Sequence, residues 1–325
     1  MELAKAKMVH AEVAFSVTRF LSADYLEVHA VLGQATIENI AQVAEDVFPS
    51  GDPQRIAAEM FLQEAFPEFG STILEQMLQI LVYASYCVRQ GSYSGLLFQF
   101  IEYFSGMASM TREMAKLGVR VACFDSLYDP SHDCEIGAGF RRWVVTLLCT
   151  AVGASTWLGF ECKSWLWLTR SVTKRSKTNV WGDITVSCVN QGNEQIVKVS
   201  LLGVLAHLVK VGTVFEQPLS SCADKAPCFS KLLASLHARR TVTWLGCFGF
   251  TSAKPLKLWH TQAWVGGLKR SRPSRGSFKR FKPLCYKNRH GKVCGYSAQL
   301  KKSAAYTKEF GRSAAQLFKN RRVAK

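Results

Sequence analysis

Three residues stand where strands of an α/β protein would end, and each has a chemistry open to it. Asp125 closes the stretch Leu97 to Asp125, LFQFIEYFSGMASMTREMAKLGVRVACFD, nineteen residues after Gly106. An acid at about that spacing, on the tip of a second parallel strand, is placed to meet the hydroxyl pair of a ribose. Cys162, in Phe160-Glu161-Cys162-Lys163-Ser164, follows an apolar run and offers a thiol nucleophile, with a structural thiol as the alternative. Glu161 beside it disfavours the thiolate and Lys163 favours it, so the net effect is not readable from the sequence. Glu216, in Phe215-Glu216-Gln217-Pro218, offers a carboxyl for general acid work or is a solvated turn residue.

The elements that would carry these residues alternate. Leu96 to Ile101 suits a buried strand, Phe104-Ser105-Gly106 a turn, Ser109 the cap of a helix over Met110 to Leu117, Gly118 its end, and Val119 to Phe124 a second strand. A helix over Arg141 to Thr150, a strand over Ser155 to Phe160, a long helix from about Glu194 to Lys210 and strands at Thr213 to Phe215 and Leu256 to Trp259 follow. This alternation predicts an α/β doubly wound, mostly parallel sheet over residues 96 to 265, whose carboxyl-end crevice gathers the candidate residues. A dinucleotide fingerprint needs three glycines where this turn offers Gly106 alone, which disfavours NAD and FAD.

The order Glu102-Tyr103-Phe104-Ser105-Gly106 resembles the first motif of the S-adenosylmethionine-dependent cytosine-carbon-5 DNA methyltransferases. The resemblance runs in the family's order through Cys162, Glu216 and the segment Phe248 to Pro255, across about 165 residues, as that of a divergent relative. It implies a Rossmann-like methyltransferase fold with S-adenosylmethionine held by Phe104, Ser105, Gly106 and Asp125. It further implies that Cys162 attacks a flipped-out pyrimidine and that Glu216 holds and protonates the ring. Phe160-Glu161 replace the family's two prolines before the cysteine, Gln217-Pro218 replace Asn-Val after the glutamate, and Lys254 replaces an arginine, losing its bidentate fork.

Charge is unevenly spread. Residues 266–325 hold eighteen Lys and Arg against the single acid Glu309, while residues 1–265 hold twenty-three of each sign. Lys269, Arg270, Arg272, Arg275, Lys279 and Arg280, interleaved with Phe278 and Phe281, suit phosphate backbones and base stacking, or an import signal. Arg170, Lys174, Arg175 and Lys177 form a second cluster in the loop after Cys162, and Lys254, in the segment Phe248 to Pro255, is a further candidate for nucleic-acid contact. Nucleic acid is therefore the expected partner, DNA favoured over RNA. Only about 60 residues follow Trp264, too few for a sizeable target-reading region.

The 325 residues, 48% hydrophobic, can bury a full core. Eleven cysteines without paired spacing argue for free thiols inside the cell, and the basic segment favours the nucleus over the cytoplasm. Cys285 and Cys294 flank His290 without a C-x-x-C pair, so no metal site is expected. Trp143 to Phe160 is uncharged for eighteen residues, but Gly153 to Thr156 divide it into a helix and a strand, which disfavours a membrane span. Before residue 96 a helical region is expected, with Ile37, Ile40, Ala44 and Val47 on one face, punctuation at Pro49, Gly51 and Pro53, and a capping box at Thr72 and Glu75. Residues 266–325 are expected as a basic, partly disordered extension. A methyltransferase-fold protein that binds nucleic acid without catalysis is the competing class, and a membrane-associated protein a further one.

Overall fold

A computed structural model describes residues 98–135, 137–274 and 305–321, residues 49–65 with isolated positions before 80, position 276, and the pieces 281–283, 285–290 and 293–295. In chain order its elements are α1 (Pro53–Ala65), β1 (Phe98–Tyr103), α2 (Ser109–Lys116), β2 (Val121–Phe124), α3 (Gly137–Leu148), β3 (Thr150–Leu158), α4 (Ser187–Leu208), β4 (Gly212–Pro218), α5 (Pro227–Ser235), β5 (Arg239–Trp244), β6 (Pro255–His260), β7 (Cys285–Lys287), β8 (Val293–Gly295) and α6 (Lys308–Lys319). The helical face over Ile37 to Val47 and the Thr72 capping box lie outside the described residues. Pro53 does more than punctuate: it opens α1, where Asp52 accepts from the Arg55 amide.

Six strands form one mixed, mostly parallel sheet in the order β2-β1-β3-β4-β6-β5. Strands β1 to β4 pair parallel, and β6 runs antiparallel between β4 and β5. The chain passes from β1 to β2 on one side and returns to β3 on the other, so the strand order reverses between β1 and β3. In an open sheet that reversal leaves a crevice at the strands' carboxyl ends.

Alternation along each strand divides the side chains between two layers. Ile101, Tyr103, Leu158, Phe215 and Trp259 face a core built with Trp143, Ile196, Leu205, Phe229 and, from α1, Leu62. Phe100, Trp157, Val214, Leu256 and Leu258 face a second core with Met110 and Met114 of α2 and Phe310, Ala314, Ala315 and Phe318 of α6. Helix α6 thus belongs to the α/β body although it lies in the basic extension. Its apolar residues recur at helical spacing between Lys308, Arg312 and Lys319, which stay outside, and Thr307 caps it by accepting from the Phe310 amide at 3.1 Å.

The uncharged stretch resolves into α3 and β3, but the break falls at Cys149 rather than at Gly153. Gly153, at φ +75°, sits in a bulge: Phe98 pairs with Thr150 and Phe100 with Ser155, so the residues between leave the ladder and Val152 is exposed. Strand β4 runs on through Pro218, placing Glu216 within the strand opposite Leu258 rather than at its tip. No helix among the described residues is long and apolar enough to cross a membrane.

Candidate functional site

The turn after β1 holds three residues in the left-handed region, Phe104 (φ 56°), Gly106 (φ 52°) and Ala108 (φ 49°). Two are not glycine, a conformation that persists only where surroundings impose it. Asp125 supplies part of that constraint. Its Oδ2 accepts from the Gly106 amide at 2.7 Å and its Oδ1 from the Leu127 amide at 2.9 Å, tying the end of β2 to the turn. Ser105 is buried in the turn, and Phe104 packs edge-on against Trp143 at 4.8 Å between ring centroids.

Ser109 does not cap α2, because Ala108 occupies the cap position and Ser109 is already helical. Its hydroxyl instead donates to the Tyr306 carbonyl at 2.9 Å. Glu102 of β1 serves the helix end: Oε2 accepts from the Thr111 amide at 2.8 Å and its hydroxyl at 2.6 Å. Glu102 is fully buried, and burial pushes its carboxyl up to about 7 despite the Thr111 bonds. Among the described residues its Oε1 has no hydrogen-bond partner. In the sequence Glu102 stands out only as part of the Glu102 to Gly106 motif; strand alternation and burial identify it as a carboxyl aimed at the α2 layer.

Cys162, Glu216 and Lys254 come together across the carboxyl ends of β3 and β4. Burial, then the nearby Glu216, pushes the Cys162 thiol up to about 11; Glu161 acts in the same direction and Lys254 against it. The cation that matters is thus Lys254, from the turn before β6, rather than the adjacent Lys163. Glu216 is itself buried and raised, with Lys254 and Tyr306 holding it down. Its Oε2 accepts from the Tyr306 hydroxyl at 2.8 Å, Tyr306 accepts from Trp157 Nε1 at 3.0 Å, and Oε1 has no hydrogen-bond partner among the described residues. A Cβ at Gly159 would lie 2.7 Å from the Tyr306 hydroxyl, so only glycine leaves room for this contact. Gln217, where the resembled family has asparagine, ties the strands together, donating to the Phe160 carbonyl at 2.6 Å and accepting from Ser221.

The basic candidates separate. Arg170 and Lys174 are exposed beside the crevice. Arg175 is not available to phosphate: it is buried, donates to the carbonyls of Ser164, Val180 and Val189, and stacks 3.5 Å from the Trp165 ring centroid. The fork geometry that makes arginine a phosphate reader also satisfies buried carbonyls, and here the interior takes it. Lys269, Arg270 and Arg272 are exposed; Arg270 also lies over Phe248 and donates to the Gly267 and Lys269 carbonyls. Arg275, Lys279 and Arg280 lie outside the described residues. Among the described residues no group of three or more His, Cys, Asp or Glu side chains is arranged to hold a metal ion.

Fold and site together define a mixed α/β protein whose mostly parallel sheet sets buried acids and a thiol near its carboxyl edge. Comparison with protein-family models, curated proteins and solved structures finds no match to this chain.

Proposed function

We propose that this is an S-adenosylmethionine-dependent methyltransferase of Rossmann-like fold that modifies a nucleic-acid base, cytosine in DNA being favoured. The observation that carries the reading is the convergence of Cys162, Glu216 and Lys254, far apart in sequence, beside the crevice where the strand order reverses.

The cofactor's class follows from charge. The positive end of α2 would suit a phosphate, but Glu102 already occupies it. With Asp125 at the next strand tip and one unpartnered oxygen on Glu102, the crevice suits a cationic, phosphate-free nucleoside. Such a cofactor supplies an electrophilic methyl group on a sulfonium. Phe104, Ser105, Gly106 and Asp125 would hold it, the Asp125 bonds keeping the turn in its left-handed course.

Toward the base, Cys162 provides the nucleophile and Glu216 the proton. Burial favours the protonated form of Glu216 relative to an ordinary glutamate, the direction that general acid work needs. Lys254 is the cation that favours the thiolate when Cys162 loses its proton. Arg170 and Lys174, with the exposed cations from Lys269 onward, supply sequence-independent attraction for the phosphate backbone. The reading without catalysis rests on the Cys162 thiol, raised by both Glu216 and Glu161.

Calorimetric titration of S-adenosylmethionine into the wild type and Asp125→Ala, followed by labelled methyl transfer to DNA and RNA, tests the proposal. The expected result is binding that the substitution weakens about tenfold, equivalent to roughly 1.4 kcal/mol, and transfer abolished in Cys162→Ala. Absence of binding at millimolar ligand by folded wild type would overturn it, and binding without transfer would select the non-catalytic reading.

A further inference from the structure

We infer that Tyr306, supplied by the C-terminal segment, is a positioning residue that makes Oε1 the proton-bearing oxygen of Glu216 and aims it into the crevice. The inference rests on the reading of Glu216 as the general acid and adds how that acid is oriented.

The direction of each hydrogen bond follows from its donor. An indole N–H can only donate, so Trp157 Nε1 must give its proton to the Tyr306 oxygen, at 3.0 Å. The Tyr306 hydroxyl keeps its own proton to donate, and it donates to Glu216 Oε2 at 2.8 Å. Burial and the neighbouring Glu216 and Glu102 keep the phenol protonated, well above the ordinary tyrosine range. Donation by Tyr306 engages Oε2 and leaves Oε1, buried and without a hydrogen-bond partner among the described residues, as the oxygen open to the carboxyl proton and to a substrate's ring nitrogen.

The charges around this carboxyl are Lys254 from the turn before β6, Cys162 and Glu161 from the segment after β3, Tyr306 from the segment before α6 and, beyond Tyr306, Glu102 of β1. Of these, Tyr306 alone makes a recorded hydrogen bond to it. Its position is secured twice: Ser109 donates to its carbonyl, and its ring packs on Phe310 at 5.3 Å and Trp157 at 5.9 Å between centroids.

Infrared difference spectroscopy of the full chain across pH tests this, with the protonated-carboxyl band assigned by its loss in Glu216→Gln. Tyr306→Phe keeps the ring and removes the bond that favours the carboxylate. The midpoint of the band should rise by roughly half to one pH unit. Gly159→Ala, whose Cβ would lie 2.7 Å from the Tyr306 hydroxyl and 3.4 Å from Glu216 Oε2 and so displaces the hydroxyl, should move it the same way and covers the case in which Tyr306→Phe does not fold. Methyl transfer by Tyr306→Phe should fall about tenfold with its pH profile displaced upward, while S-adenosylmethionine affinity changes less than twofold. An unmoved midpoint in both folded variants would overturn the inference. A displaced midpoint in a protein that transfers no methyl group would sustain the orientation of Glu216 while refuting the catalytic reading.

Discussion

Replacing Glu102 by glutamine should make the protein more stable at alkaline pH and less stable at acid pH. The carboxyl moves from an ordinary 4.5 to about 7 on folding, chiefly through burial. That gap corresponds to about 3 kcal/mol when both states are ionised. Below pH 4.5 the group is protonated folded and unfolded and carries no penalty. Between 4.5 and 7 the unfolded chain ionises while the fold retains its proton, so stability falls as pH rises; above 7 the penalty is complete. Glutamine removes the titration and keeps an oxygen for Thr111, but places an amide N–H where Oε1 now has no partner, at about 1 kcal/mol. The variant should therefore be less stable by about 1 kcal/mol only well below pH 4.5, about equal to the wild type at pH 5, where the penalty has already grown to roughly 1 kcal/mol, and more stable by about 2 kcal/mol at pH 8. Urea unfolding of both proteins at pH 5, 6, 7 and 8 measures the difference, in which titrations common to both cancel. Parallel stability profiles would refute the claim that this buried carboxyl is held against its ionised form. A gain in stability that lowers cofactor affinity would mark Glu102 as retained for binding.

Phe310→Ala should destabilise the protein by roughly 3–5 kcal/mol, because its fully buried ring contacts Trp157, Phe248 and Tyr306; a loss below 1 kcal/mol in urea unfolding would refute the placement of α6 in the core. Arg175→Met should lose about 3 kcal/mol of stability as buried carbonyls lose their donors, while the folded variant binds nucleic acid unchanged. Arg170→Ala should do the converse, leaving unfolding unaltered and flattening the slope of log affinity against log salt by about one; equal salt slopes for wild type and Arg170→Ala would refute the assignment of phosphate contact to that loop.

Much of the architecture was legible because it is local. Short apolar runs, turn residues and helical patterns announced β1, α2, β2, α4 and β4, and Gly118 ends α2 at φ +77° as its position suggested. Strand β5 went unrecognised: Arg239-Arg240-Thr241-Val242-Thr243-Trp244 is an edge strand, and its polar face hides the alternation. Helix α6 was masked by its cations, although Phe310, Ala314, Ala315 and Phe318 already traced an apolar stripe.

Local pattern in the chain already carried an alternating α/β order, the segregation of positive charge beyond residue 265, and the placing of Asp125 and Cys162 just past the ends of strands. Packing between distant elements set which groups share a low-dielectric space. It buried Arg175, passed the influence on Cys162 from Lys163 to Lys254, turned Glu102 toward α2, and brought Tyr306 to Glu216 across ninety residues. The physical reason is range. Periodicity and turn chemistry act between near neighbours, whereas desolvation and charge coupling depend on what the folded chain sets alongside each group.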